Sequence, residues 1–170
     1  MTLALRPIRR SDADRLRRFH ERLSEESIYL RYHSPHPRLK EREVRQLVGV
    51  DAHDHVAWVA CDDDGEIAGV ARVIRNPVVP ETGEVAIVIA DGWHRHGLGA
   101  RLVERVLSEA RREGMTTVVA LVLAHNEPAR QLFVTTAERL GIPCASRWAG
   151  GVVELSLDVS ALRPAALGAV

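Results

Sequence analysis

Apolar positions change their period along this chain, and the changes divide it into elements. Residues 84–90, Glu-Val-Ala-Ile-Val-Ile-Ala, form a dense Val/Ile run, the pattern of a strand buried on both faces. Gly97 and Gly99 follow among basic residues, and Leu98, Leu102, Val103, Val106, Leu107 and Ala110 then recur at helical spacing. Upstream, Leu3 and Leu5 alternate in a first strand that stops at Pro7. Ser11-Asp12-Ala13-Asp14 reads as an N-cap opening a helix with Leu16, Phe19 and Leu23 on one face. Ser24-Glu25-Glu26 starts a second short helix through Ile28, Tyr29 and Tyr32. Pro35 and Pro37 force a loop, and a helix with Val44, Leu47 and Val48 follows.

Residues 55–61 and 66–74 are strand candidates, joined by the hairpin signal Asp62-Asp63-Asp64-Gly65. Beyond the glycine turn, residues 116–123 form another buried-strand run. Asn126, with Pro128 in the first turn, starts a helix with Leu132, Phe133, Ala137 and Leu140 inward, and Gly141 ends it. Val153, Leu155, Leu157 and Val159 alternate with Glu154, Ser156, Asp158 and Ser160, after a Gly150-Gly151 turn from a strand over 144–148. Residues 1–160 read as one domain and 161–170 as a flexible tail.

A strand, a glycine-rich turn and a helix together present unpaired N–H groups to a phosphate. The first amides of a helix lack internal partners, and the helix dipole adds positive character there. Two phosphate motifs fail on this segment. A P-loop needs Lys and then Ser or Thr after its last glycine, whereas Gly99 leads to Ala100-Arg101. The dinucleotide pattern G-x-G-x-x-G breaks at Leu102.

The segment His94-Arg95-His96-Gly97-Leu98-Gly99-Ala100 instead resembles the R/Q-x-x-G-x-G/A signature of the GNAT superfamily of acyl-CoA-dependent N-acyltransferases. His94 stands where that signature has Arg or Gln. Asn126-Glu127-Pro128-Ala129, Leu132-Phe133 and Leu140-Gly141 are similar to a second motif of the family. Leu5-Arg6-Pro7-Ile8-Arg9, residues 23–32 (Leu-Ser-Glu-Glu-Ser-Ile-Tyr-Leu-Arg-Tyr), Val50-Asp51 and Glu84-Val85-Ala86 look closest to the acetyltransferase domain of bacterial Pat-type protein lysine acetyltransferases.

The resemblance implies an α/β GNAT fold, a mixed central sheet of six to seven strands with helices on both faces. It implies acetyl-CoA as acyl donor, bound between the strand over 87–90 and that over 116–123. Its pyrophosphate would lie on the turn of His94, Arg95, His96, Gly97, Leu98, Gly99 and Ala100, and its pantetheine arm on Ile87, Val88, Ile89 and Asn126. The N–H of Val88 or Ile89 would bind the developing oxyanion. Glu84 takes the place of the general base, since an ammonium acceptor must lose a proton before it attacks a thioester. A carboxylate on a buried strand would have raised basicity for that work. Phe133 stands where the family often has a proton-donating Tyr, and it has no proton to give. The acceptor would be an amine, on a protein lysine or a small molecule, and a homodimer is compatible with the resemblance. A CoA-binding sensor that has lost catalysis is the rival from another class.

Composition narrows the remaining chemistry. Lys+Arg and Asp+Glu are both 23, so no basic field points to nucleic acid or an anionic membrane. Cys61 and Cys144 lie far apart outside any C-x-x-C arrangement, which argues against a disulfide framework and for a reducing cytoplasm. His53/His55, His94/His96 and His33/His36 have metal-ligand spacings but no H-E-x-x-H context, so no metal is expected. Trp58 and Trp93 read as packing residues, and the charge-rich stretches 9–18 and 40–45 as solvated helix faces.

Overall fold

The computed structural model describes residues 3–162. Its strands are β1 (Ala4–Pro7), β2 (His55–Cys61), β3 (Ile67–Arg75), β4 (Thr82–Ile89), β5 (Thr117–Leu123), β6 (Cys144–Ala149) and β7 (Val152–Asp158). They form one seven-stranded mixed sheet in the order β1-β2-β3-β4-β5-β7-β6. The β4–β5 pair is parallel and every other pair antiparallel. A parallel pair needs a crossover, and α4 (Leu98–Arg112) supplies it.

Helices cover both faces, as the resemblance implies. On one face α1 (Ala13–Glu21), α2 (Glu25–Tyr32) and α3 (Glu41–Val48) bury Leu16, Phe19, Ile28 and Val48 against Val59 and Val70. On the other, α4 and α5 (Glu127–Leu140) bury Leu102, Val106, Phe133 and Ala137 against Val73, Val118 and Leu155.

Local signals decide several helix ends. The Ser24 hydroxyl accepts the Ser27 amide at 3.1 Å and opens α2, and the Asn126 carboxamide accepts the Ala129 amide at 3.2 Å and opens α5. Gly141 closes α5 at φ 67°, a left-handed conformation that suits glycine.

Two expectations need correction. A 3-10 turn (Arg10–Asp12) precedes α1, and Asp12 is 1% exposed instead of lying on a solvated face. Its carboxylate takes two bonds of 2.7 Å from the Arg6 guanidinium and one of 2.8 Å from the Arg9 amide. The Arg6 hydrogen bonds hold this carboxyl below its ordinary range against the opposing effect of burial. The second correction is Leu162, which packs into the α4/α5 core with its amide on the Val159 carbonyl at 3.0 Å. The rest of the expected tail, 163–170, lies outside the described residues.

One feature of the sheet opens a gap at its centre. The β4–β5 register runs only from Thr82↔Thr117 to Val85↔Ala120, whereas β3 pairs β4 as far as Ile89. Beyond Val85 the two parallel strands part. The Asn76 amide donates to the Thr82 carbonyl at 2.8 Å and the Ala90 amide to the Ala68 carbonyl at 2.9 Å, so even-numbered positions of β4 bond toward β3. Main-chain groups alternate sides along a strand, so those of Ile87 and Ile89 face the gap.

Candidate active site

The glycine turn follows a 3-10 turn (Asp91–Trp93) at the end of β4 and leads into α4. Arg95 and Gly97 are left-handed, at φ 63° and 74°. A Cβ on Gly97 would meet nothing within 4 Å, so glycine is needed there for its conformation. The Arg101 amide bonds the Gly97 carbonyl at 3.3 Å, so the amides of Leu98, Gly99 and Ala100 come before the first internal bond of α4. Leu98 is 1% exposed and anchors the turn to the core, while His94, Arg95, His96 and Gly97 are exposed. This is an accessible helix N-terminus held rigidly against the sheet, the arrangement that suits a pyrophosphate.

Gly99 also has a packing role. A Cβ there would lie 3.1 and 3.3 Å from the two methyls of Leu132 on α5. The missing side chain lets two helices approach. His94 is also engaged within the chain. Its Nε2 lies 3.0 Å from the Ile89 carbonyl, which only accepts, so the ring donates. That bond satisfies an oxygen the strand gap leaves without a partner on β5. His96 donates from Nδ1 to the His94 carbonyl at 2.7 Å and sets the turn's shape.

Within the gap, the alternation of β4 separates the two candidate oxyanion donors. The Val88 amide belongs to the β3 ladder, and the Ile89 amide faces β5. Across the gap, Asn126 follows β5, its amide on the Leu123 carbonyl at 2.8 Å. Its carboxamide oxygen serves as the α5 cap, which leaves the NH₂ group for a ligand. Phe133 is 3% exposed and lies in the core.

Glu84 lies on the sheet face that carries α1, α2 and α3, in register with Ile74 on β3 and Val119 on β5. It immediately precedes Val85, the last paired residue before the gap. The expectation of a buried carboxylate fails, because Glu84 is exposed and its neighbour Ile74 is 48% exposed. That end of the two strands is open to solvent on this face.

Two basic residues lie on the same face, Arg31 within the Pat-like run 23–32 and Arg72 outside every motif. Arg72, in the middle of β3 and in register with Ala86, is 4% exposed. Its Nη1 donates to the Leu47 carbonyl at 3.3 Å and to His55 Nε2 at 2.9 Å. Burial, aided by the charge of Arg31, pushes the guanidinium down to about 10. Burial and the charge of Arg72 push His55 down to about 4, so the imidazole is neutral and its Nε2 accepts. Arg31, on α2, lies 4.9 Å from the centre of the Tyr32 ring and feels the charge of Glu84. A lone arginine inside the apolar run 67–74 was the available clue.

Among the described residues, no three His, Cys, Asp or Glu side chains converge in a way that would hold a metal ion. Trp58 packs against the core with Arg105 4.6 Å above its ring, and Trp93 is partly buried against the same core.

Comparison with known proteins agrees with this geometry. The family model "Acetyltransferase (GNAT) family" matches residues 16–135. The chain is 31% identical over 131 residues to Acetyltransferase PA5475 of Pseudomonas aeruginosa, covering 75% of this chain and 70% of that protein. It is 28% identical over 156 residues to Acetyltransferase Pat of Mycolicibacterium smegmatis, covering 91% of this chain but only 45% of that relative. The crystal structure of the GNAT domain of S. lividans PAT superposes with a TM-score of 0.84 at 30% identity, covering 93% of this chain and 91% of that one. With its parted parallel strands and its glycine turn at a helix N-terminus, the chain belongs to the GNAT acetyltransferase family and uses acetyl-CoA as its acyl donor.

Proposed function

We propose that the protein transfers the acetyl group of acetyl-CoA to a primary amine by direct attack, with Glu84 as the base. The observation that carries this reading is that pairing between β4 and β5 stops at Val85, directly beside Glu84. The thioester lies in the gap, its oxygen on the Ile89 amide. The pyrophosphate lies on the turn with His94, Arg95 and His96, and the pantetheine arm along Ile87 and Asn126. Glu84 takes a proton from the acceptor ammonium, directly or through water. The free amine forms the new C–N bond, its nitrogen gives up its surplus proton to water, the C–S bond breaks, and CoA leaves as the thiolate. Phe133 supplies no proton, so water protonates that thiolate.

A protein lysine acceptor is supported by the likeness to Pat domains, and the same machinery serves a small-molecule amine. The two cysteines are free, which supports a reducing cytoplasm, and no helix among the described residues is long and apolar enough to cross a membrane. The test is CoA release from acetyl-CoA with a panel of small amines and lysine-bearing peptides. Release with at least one acceptor is expected. Tight cofactor binding without release for any of them would favour the sensor reading.

A further inference from the structure

Arg31 and Arg72 lie together on the acceptor face, and neither has a carboxylate partner. Arg72 bonds only through Nη1, so its Nε and Nη2 donate to nothing among the described residues. Arg31 makes no hydrogen bond or ion pair there, only the contact over Tyr32. Glu84 is the carboxylate whose charge reaches Arg31, and no ion pair joins them. A guanidinium buried without a counter-charge is costly, and an apolar side chain of similar volume would pack this site better. Two such groups side by side also repel. The arrangement becomes favourable when an anion lies between them, because a carboxylate or phosphate matches the planar fork of arginine.

The surrounding shape supports the same conclusion. Arg31, Tyr32 and Arg72 share a partly open recess with Leu47, Ala86 and Val88. Its room is about 20 Å³, little more than a single water needs, so a ligand would set only the tip of an acid group there and keep its body outside. Ala86 and Glu84 point to the same face two residues apart, roughly 7 Å along the strand. A molecule whose acid enters the recess therefore holds its other end near the base.

Building on the transfer reading above, we infer that Arg31 and Arg72 form an anion subsite that selects a small amine acceptor bearing a carboxylate. The acid of the acceptor lies on the two guanidinium groups and its amine lies against Glu84. An amino acid has this chemistry.

The test is calorimetric binding to the CoA-loaded protein, with no turnover, using amino acids and their neutral amides (lysine and lysinamide, ornithine and ornithinamide, methionine and methioninamide). A lysine peptide with a neighbouring Glu is the macromolecular arm. At least one free acid should bind about tenfold or more tightly than its amide, the scale of one lost charge-assisted hydrogen bond. Arg31→Gln, which removes no bond within the chain, should reduce that preference to within about twofold, and Arg31→Lys should keep part of it. Equal binding of acid and amide across the panel would overturn the subsite, as would a preference that survives Arg31→Gln. Preference confined to the acidic peptide would overturn the small acceptor. CoA release measured alongside separates the two readings. Acid-selective binding without release faults the transfer, and release without acid preference faults the subsite.

Discussion

Ser24 donates to the carboxylate of Asp91 twice, from its amide at 3.0 Å and from its hydroxyl at 2.8 Å. Ser27 adds its own hydroxyl at 2.8 Å. The residue just after the parted strand is thus tied to the start of the helix that carries Arg31. Burial opposes ionisation of Asp91, but the Ser24 amide and the Ser27 and Ser24 hydroxyls outweigh it and hold the carboxyl below its ordinary range. This stabilisation is present above the unfolded carboxylate pKa of about 3.9 and is lost as pH falls through the lower folded value. We expect Asp91→Asn to cost about 1 kcal/mol at pH 7. Urea unfolding of both proteins at pH 7 and pH 3 should show the gap closing at the lower pH.

Glu84→Gln keeps the shape of the strand and removes the proton acceptor. Turnover should fall by roughly two to four orders of magnitude at neutral pH, the scale of general-base removal, with acetyl-CoA affinity nearly unchanged. The deficit should shrink as pH rises and free amine becomes abundant. Stopped-flow CoA release between pH 7 and 10 reads both effects. A variant with parental turnover at pH 7 would place the base elsewhere.

Gly99→Val tests helix packing more than phosphate access. Its Cβ would press on Leu132, and overpacking of this kind costs about 1–3 kcal/mol. We expect a lower melting temperature even without cofactor. Leu132→Ala in the same chain should restore part of the loss relative to Leu132→Ala alone, giving a non-additive double-mutant cycle. Additive losses would show that the two residues do not meet.

His55 should remain neutral through the whole range in which an ordinary histidine titrates, gaining a proton only near pH 4. Because the folded value is depressed, its contribution is complete above about pH 6.5 and is lost progressively as pH falls toward 4. Ring chemical shifts followed by NMR from pH 8 to 3.5 report the titration directly. Arg72→Gln should move the midpoint upward, since it removes the second-largest cause of the depression.

What the sequence revealed and what it hid differ by range of interaction. Ser24, Asn126 and Gly141 announced helix ends because each acts within a few residues of itself. The β4 run, glycine turn and α4 were legible for the same reason, being one continuous stretch. Asp12 was misread because its burial depends on Arg6 in another element. Arg72 escaped notice because its setting is made by Leu47 and His55, 25 and 17 residues away. Glu84 stood at its motif position, but its exposure depends on where three helices stop, and no spacing in β4 encodes that. The packing role of Gly99 is hidden in the same way, since Leu132 on a distant helix is what crowds it.

The parting of β4 from β5 also gives the centre of this sheet an unusual rhythm. An interior strand ordinarily shields all its amides from deuterium. On β4 the shielding should alternate after Val85, with Val88 locked in the β3 ladder and Ile87 and Ile89 lacking a strand partner. In an exchange experiment this well-ordered strand would read as a two-beat pattern, slow and fast by turns. A ligand that threads the gap would even out the beat, so amide-resolved exchange maps its path without reference to catalysis.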